Sequence, residues 1–381
     1  MITLDIIYLF ISKMAYKLNI FTEDDHNTHL INLCKKNGIV FIKMCQIMTS
    51  AFGKKAKREL GNNLFKKMSI LQDACHQDNP IHLPGINYID KNPIASGSVA
   101  QVYKINYNNK VSALKILLPG INASIQNSIK LFASFRSCLY YINRNLYSNF
   151  CLYDLDEYFK FLTIQTRLDQ EAENLKKFSS IFSNCDKIII PDIYYYDSTK
   201  IIMSYEEGMT LTVLEKRHPD KYNEALFLIV AFFFKNFKNN IMHGDFHLGN
   251  YLFRIENDIL KLIVLDFGII TPIPDSLKNG VISIFTDLTL TEDDRTNLSL
   301  QIMADNGIVM KPGARINIFN FDPDNTAVLD DNVDFNKSKI PIDLISLGLI
   351  FPAVTELIHD ITMDQFLIKL MDFLYKHSLL D

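Results

Sequence analysis

The chain has 381 residues, 48% hydrophobic and 22% charged, with a formal net charge of −4. This length fits two domains or one large bilobal unit, and the composition excludes a disordered chain, a collagen-like fibre and a small disulfide scaffold. No excess of positive charge is available to neutralise a phosphate backbone, so no nucleic-acid partner is expected.

The cysteines, Cys34, Cys45, Cys75, Cys138, Cys151 and Cys185, are scattered without a C-x-x-C pair. That argues against a metal cage or a disulfide framework and for an intracellular, reducing compartment. Residues 2–12 are apolar but carry Asp5, lack a basic leader and are too short to span a bilayer. The longest apolar run, ALFLIVAFFF at 225–234, suits a buried core helix rather than a membrane span. The mean hydropathy of +0.05 leaves peripheral contact with a membrane open.

In chain order, residues 1–84 read as a helical N-terminal extension. Apolar residues recur at helical spacing from 27 to 50 and again from 51 to 71, after Lys54, Lys55, Lys57 and Arg58, which read as a solvated helix face. Asp78-Asn79-Pro80 and Leu83-Pro84-Gly85 mark a boundary. Residues 85–207 read as a β-rich unit with a helical insert. Runs at 99–105 (VAQVYKI) and 111–118 (VSALKILL) flank Asn106-Tyr107-Asn108-Asn109, a hairpin signal. Pro119-Gly120 opens a helix to about 143, a second helix is expected over 154–182, and short strands over 187–190 and 201–205. Residues 208–381 read as a mainly helical unit interrupted by loop and strand at 243–270, with an acidic loop at 311–340. A small β-rich unit before a larger helical one, joined near Glu206-Glu207-Gly208, outlines a bilobal nucleotide-binding enzyme of the α+β class.

The chemistry concentrates in MHGDFHLGNYLF at 242–253, which holds His243, Asp245 and Asn250, followed by Asp266-Phe267-Gly268 in the strand-like KLIVLDFGII. Phosphoryl transfer needs an Asp to orient or deprotonate the attacking hydroxyl, and an Asn and a second Asp to hold magnesium on the phosphates. D-F-G alone is a weak signal; HGDxxxxN followed by a strand ending in DFG is a specific one. His243 and His247 have no acidic or Cys partner at zincin spacing, so His243 is expected to brace the catalytic loop and His247 to form part of it. Lys115, between Leu114 and Ile116, is costly to bury unless paired; a phosphate and a helix carboxylate would give it a purpose. The loop before it, PIASGSVAQ, offers Ala95, Ser96, Gly97 and Ser98, small residues that let backbone approach phosphates, although only one is glycine.

These residues together resemble the UbiB/ADCK (activity-of-bc-one-complex) family of atypical kinases. PIASGSVAQVYK is similar to that family's Ala-rich loop, and FIKMCQ places Lys43 and Gln46 on its K-x-G-Q motif. Leu71-Gln72-Asp73, ALKILLPG and QEAENLKKF follow in order, and the likeness covers roughly residues 35–290. Aminoglycoside and choline kinases share HGDxxxxN but lack the extension motif and this loop. The resemblance implies a protein-kinase-like bilobal fold with a helical N-terminal extension, binding ATP and magnesium. It implies Lys115 on the phosphates paired with Glu171, Asp245 as the catalytic residue, Asn250 and Asp266 as metal ligands, and residues 201–211 as the hinge. Lys43 and Gln46, three apart on one helical face, would cap the nucleotide cleft. The implied function is an atypical kinase or ATPase linked to isoprenoid-quinone lipid metabolism, with an isoprenoid-like lipid or a peripheral membrane surface as partner. The alternative is a nucleotide-gated binding module with little turnover. Two departures stand out: Cys45 occupies the usual glycine position, and Gln165 and Arg167 replace the family's E-x-D pair, which would bring a positive charge near the phosphates. After Gly268, ITPIPDSLKNG runs straight into helix without the A-P-E segment of a protein kinase.

Overall fold

The computed structural model describes residues 20, 22–36, 61–70, 81–97, 99–142, 160, 163–246, 249–287, 289–314, 332–334, 357, 363–377 and 379. The chain divides into two compact units, and the division cuts through two adjacent strands. The first unit comprises Met1–Ile86, Asp90–Tyr103 and Ile116–Thr166; the second comprises Asn87–Ile89, Lys104–Lys115 and Arg167–Asp381.

In the first unit, helices α1 (Glu23–Lys36) and α2 (Asn62–Ile70) pack together. A reciprocal pair opens α1: Thr22 Oγ1 accepts from the Asp25 amide at 3.1 Å, and Asp25 Oδ2 accepts from the Thr22 amide at 3.0 Å. Two backbone donors that a helix start leaves unpaired are thereby satisfied. Asn63 ties the helices, donating to Asp24 Oδ1 at 2.8 Å and accepting from Asn27 at 3.2 Å. Lys43 and Gln46 lie outside the described residues, as do the runs at 37–60 and 71–80. Helix α3 (Ile121–Ile142) follows Pro119-Gly120, with Gly120 at φ +70°, where the sequence places a helix start.

A sheet of order β1-β3-β4-β7-β6 is formed by β1 (Asn87–Tyr88), β3 (Ala100–Tyr107), β4 (Lys110–Leu117), β6 (Ile193–Tyr196) and β7 (Lys200–Ser204), all in the second unit except residues 100–103 of β3 and 116–117 of β4. β2 (Ala95–Ser96) joins the first-unit end of β3. The β3–β4 hairpin turns on Asn108 (φ 50°) and Asn109 (φ 62°). Two consecutive left-handed residues match the twist of the flanking strands, and Asn tolerates that conformation better than most residues. The same device closes a second hairpin, β9 (Tyr251–Glu256) with β10 (Ile259–Val264), at Asn257 (φ 51°) and Asp258 (φ 64°). β10 also runs parallel to β5 (Ile188–Ile189), and β8 (Ile241–His243) pairs antiparallel with β11 (Ile270–Pro272).

Of the helix expected over 154–182, α4 (Leu168–Ile181) is the long described part, and residues 160 and 163–164 before it are also helical. Residues 165–166 form a turn, held by Thr166 Oγ1 donating to Thr163 O at 2.8 Å, and residues 143–159 lie outside the description. After α5 (Leu211–Arg217) comes α6 (Tyr222–Lys238), which contains the long apolar run and is buried over nearly its whole surface, as a helix apolar on all sides must be. It packs on β8, β10, α7 (Asp275–Thr286) and α9 (Met363–Lys376). α8 (Glu292–Asp305) packs on α7. Among the described residues no helix is long and apolar enough to cross a membrane. Most of the expected acidic loop, at 315–331 and 335–340, lies outside the description.

Candidate active site

Three side chains far apart in sequence meet in the second unit. Lys115 Nζ, on β4, lies 2.7 Å from Glu171 Oε1 on α4 and 3.0 Å from Asp266 Oδ1 just after β10. Lys115 and Glu171 are buried, while the Asp266 side chain is 40% exposed. Burial alone would depress the lysine, but the charges of Asp266 and Glu171 more than offset it, so its pKa is raised. Burial works against the charged form of Asp266 too, yet the Lys115 ammonium prevails and holds the carboxyl down to about 2. Glu171 is pushed up to about 7, by burial first and by the Asp266 charge, against the pull of Lys115. Its Oε2 is buried with no hydrogen-bond partner.

Register explains how Asn250 comes beside Asp266. The last β9–β10 pair is Tyr251 with Val264, and the ladder continues through the Leu265 amide donating to Asn250 O at 2.7 Å. Asn250 and Asp266 therefore sit at the open end of one hairpin. Asn250 Nδ2 donates to Asp245 O at 2.8 Å, which leaves its Oδ1 as the free ligand atom. Asp266 adopts φ +54°, a left-handed backbone that costs a non-glycine residue roughly 1–2 kcal/mol. Its Oδ1 also accepts from the Gly268 amide at 3.2 Å.

The β8–β11 pair sets the other side. Gly244 donates its amide to Ile269 O at 2.9 Å, and a Cβ at Gly244 would lie 2.4 Å from Ile269 Cγ2. Only glycine lets the loop after β8 approach the Asp-Phe-Gly segment this closely. His243, fully buried, spans the two: Nε2 lies 3.3 Å from Leu265 O, and Nδ1 accepts the Asp245 amide at 3.3 Å. Those partners assign the proton to Nε2. The ring sits among Phe178, Phe232, Phe246 and Phe267, and burial lowers its pKa against the opposing charges of Asp245 and Asp266. A second proton would have to go on Nδ1 and displace the Asp245 amide. With its pKa depressed on folding, neutral His243 contributes stability above the ordinary value of 6.5 that is lost as pH falls below it. Denaturant titrations from about pH 7 to about pH 5 should show a steeper loss for the wild type than for His243→Gln; parallel curves would contradict this role. With both ring nitrogens committed, His243 is no zinc ligand, and His247 lies outside the described residues.

Sequence reasoning missed Asn174. One turn after Glu171, and buried, it donates to Phe267 O at 2.9 Å and accepts from Gln170 Nε2 at 3.2 Å. Arg167, expected to bring a positive charge near the phosphates, makes a two-pronged contact with Asp169, Nε–Oδ1 2.9 Å and Nη2–Oδ2 2.6 Å. That charge is answered within α4's first turn. The hinge segment continues from β7 and returns to β9 through paired backbone bonds between Met209 and Phe253, both 2.8 Å. Gly208 is required there, since a Cβ would lie 2.8 Å from Leu252 Cβ. Ala95, Ser96 and Gly97 belong to the first unit, where the Gly97 amide donates to Ala100 O at 2.8 Å. A Cβ at Gly97 would make only an ordinary 3.5 Å contact, so local packing does not demand glycine. Ser98 is outside the description.

The donor set suits magnesium. Asn250 Oδ1 and Asp266 Oδ2 are hard oxygens, the type this cation takes, usually with one or two protein carboxylates and phosphate oxygens completing its shell. Lys115 supplies a fixed ammonium beside them. Among the described residues no cluster of three His, Cys, Asp or Glu side chains forms an all-protein metal cage.

The model of the ABC1 atypical kinase-like domain matches residues 86–299, more than half of the chain. "Probable serine/threonine-protein kinase abkC" of Dictyostelium discoideum is 30% identical over 45% of this chain and 25% of its own length. Protein ACTIVITY OF BC1 COMPLEX KINASE 3, chloroplastic, of Arabidopsis thaliana is 26% identical over 51% of this chain and 28% of its own. AarF domain-containing protein kinase 1 of Xenopus laevis is 26% identical over 56% and 42%. The chain thus spans less than half the length of each of these relatives. Among solved structures, that of Rv3197 with erythromycin, from Mycobacterium tuberculosis, superposes with a TM-score of 0.52 at 16% identity, over 71% of this chain and 74% of that one. This likeness shows a shared fold.

Proposed function

The chain belongs to the ABC1 atypical kinase-like family, and from that premise we propose that it binds MgATP and moves the γ-phosphoryl group to an acceptor hydroxyl or to water. The observation that carries the reading is the convergence of Lys115, Glu171 and Asp266 within 3.0 Å, beside Asn250 on the same hairpin end. Lys115, steadied by Glu171, binds phosphate oxygens. Asn250 Oδ1 and Asp266 hold magnesium, which when bound neutralises phosphate charge and fixes its geometry. Asp245, placed by Gly244 and by the His243–amide bond, orients the attacking oxygen and takes its proton. The family resemblance implies an isoprenoid-like lipid as partner, so phosphate release by hydrolysis should change when such lipid is added to the purified protein.

Two variants separate binding from chemistry. Ligand at about 100 times its dissociation constant stabilises a fold by roughly 2.7 kcal/mol. That thermal shift with MgATP should persist in Asp245→Asn, which loses turnover, and should shrink strongly in Asp266→Asn. If both variants shift like the wild type, Asp266 is no metal ligand and the reading fails. Binding without turnover in the wild type would support a nucleotide-gated module instead.

A further inference from the structure

We propose that Asn174 is a positioning residue that locks the Asp266 carboxylate in its metal-binding orientation, an inference that rests on the nucleotide reading above. Asp266 is in a left-handed conformation, and a strained residue keeps such a state only where its surroundings over-determine it. The anchors upstream of it are clear. Leu265 is fixed through its amide by Asn250 O and through its carbonyl by His243 Nε2. Downstream, Phe267 O receives the buried amide of Asn174 at 2.9 Å. The peptide before Asp266 is thus held directly, and Asn174 holds the Phe267–Gly268 peptide, whose amide in turn donates to Asp266 Oδ1 at 3.2 Å.

The bond also joins two halves of the site. Glu171 and Asn174 lie one turn apart on α4, the first holding Lys115 and the second holding Phe267 O. Displacing α4 would therefore disturb both the ammonium that grips Asp266 and the peptide beside it. Gln170 donates to Asn174 Oδ1, which orients the amide so that its NH2 faces Phe267 O. Asparagine suits this position because it carries both a donor and an acceptor. A carboxylate of the same shape offers no donor and would repel the carbonyl. Asn174 touches neither the metal ligand atoms nor the nucleotide, so its action is through the backbone alone.

The test uses the full chain, titrated with magnesium at a fixed concentration of a methylanthraniloyl-labelled ATP, together with hydrogen exchange at residues 266–269 in the absence of ligand. Asn174→Ala and the near-isosteric Asn174→Asp should each raise half-saturating magnesium about tenfold, the equivalent of one hydrogen bond, and should speed exchange at 266–269. Gln170→Ala, at an exposed position, should give a smaller change in the same direction, and Lys176→Ala, on the outer face of α4, should give none. A magnesium requirement within about twofold of the wild type in both Asn174 variants overturns the proposal. If the wild type binds no nucleotide at any magnesium concentration, the functional reading fails; exchange then decides separately, faster exchange in the variants supporting the anchoring role and unchanged exchange overturning it.

Discussion

Lys115→Met is expected to lower folding stability by about 3–5 kcal/mol, the cost of leaving a buried charge without its partner, and to abolish nucleotide binding. Lys115 is 7% exposed and Glu171 2%, so water cannot take over the role of the missing ammonium. Without it, the carboxylates of Glu171 and Asp266 face each other across a site that excludes solvent on the Glu171 side. Because folding raises the lysine pKa, its contribution is complete below the ordinary value of 10.5 and is lost only as pH rises through the higher folded value. Glu171, pushed up to about 7, sets the pH dependence instead: without Lys115 its proton is held to higher pH, so the deficit should grow as pH rises through the neutral range. Replacing both members, Lys115→Met with Glu171→Leu, removes two buried charges at once and should recover part of the loss. Urea unfolding of the single and double variants measures both effects. A Lys115→Met midpoint equal to that of the wild type would mean that the ion pairs contribute nothing.

Gly244→Ala is the second large effect. Its backbone has no left-handed angle to explain the glycine; the cause is space, because the added Cβ would come 2.4 Å from Ile269 Cγ2. Ile269 is buried and its carbonyl accepts the Gly244 amide, so relief requires the β8–β11 pair to separate. Overpacking of this kind costs about 1–3 kcal/mol. Turnover should suffer more than stability, since a displacement of about 1 Å at a catalytic group costs on the order of a hundredfold in rate. Ile269→Ala removes the opposing Cγ2, so Gly244→Ala combined with Ile269→Ala should lose less than the sum of the single variants. Strict additivity would show that the clash is relieved elsewhere.

Residues that chemistry requires are the most legible in the sequence. An Asp-Asn pair at phosphoryl-transfer spacing followed by Asp-Phe-Gly is specific enough to stand out, it gives the strand lysine a purpose, and the family resemblance adds Glu171; the structure brings Lys115, Glu171 and Asp266 together. Local turn chemistry is also legible at Asn108-Asn109. The same signal at Asn257-Asp258, between the apolar runs of β9 and β10, is masked by the catalytic motifs on either side of it. Other features have no local signal. Asn174 bonds a backbone carbonyl 93 positions away, and nothing in a helical pattern marks such a partner. The closeness of Gly244 to Ile269 depends on pairing of two short strands, and the start of α4 on a threonine back-bond that breaks an otherwise helical pattern. The Arg167–Asp169 contact has no signal in the sequence, because Asp169 reads only as part of the helix. Lys43, Gln46 and Ser98 fall outside the described residues, so their expected places over the nucleotide remain proposals.

The β9–β10 ladder has a consequence for how this chain can vary. Asn250 and Asp266 are neighbours because they extend one hairpin by counting outward from the Asn257-Asp258 turn. Side chains along a strand alternate between faces, so inserting or deleting one residue within 251–256 would slip the register and turn the Asn250 side chain to the opposite face. A longer turn at 257–258 leaves that count unchanged, as does variation in the long segments before β8. Natural or engineered length changes should therefore be tolerated at the tip of this hairpin and excluded from its arms, whatever the surrounding packing permits.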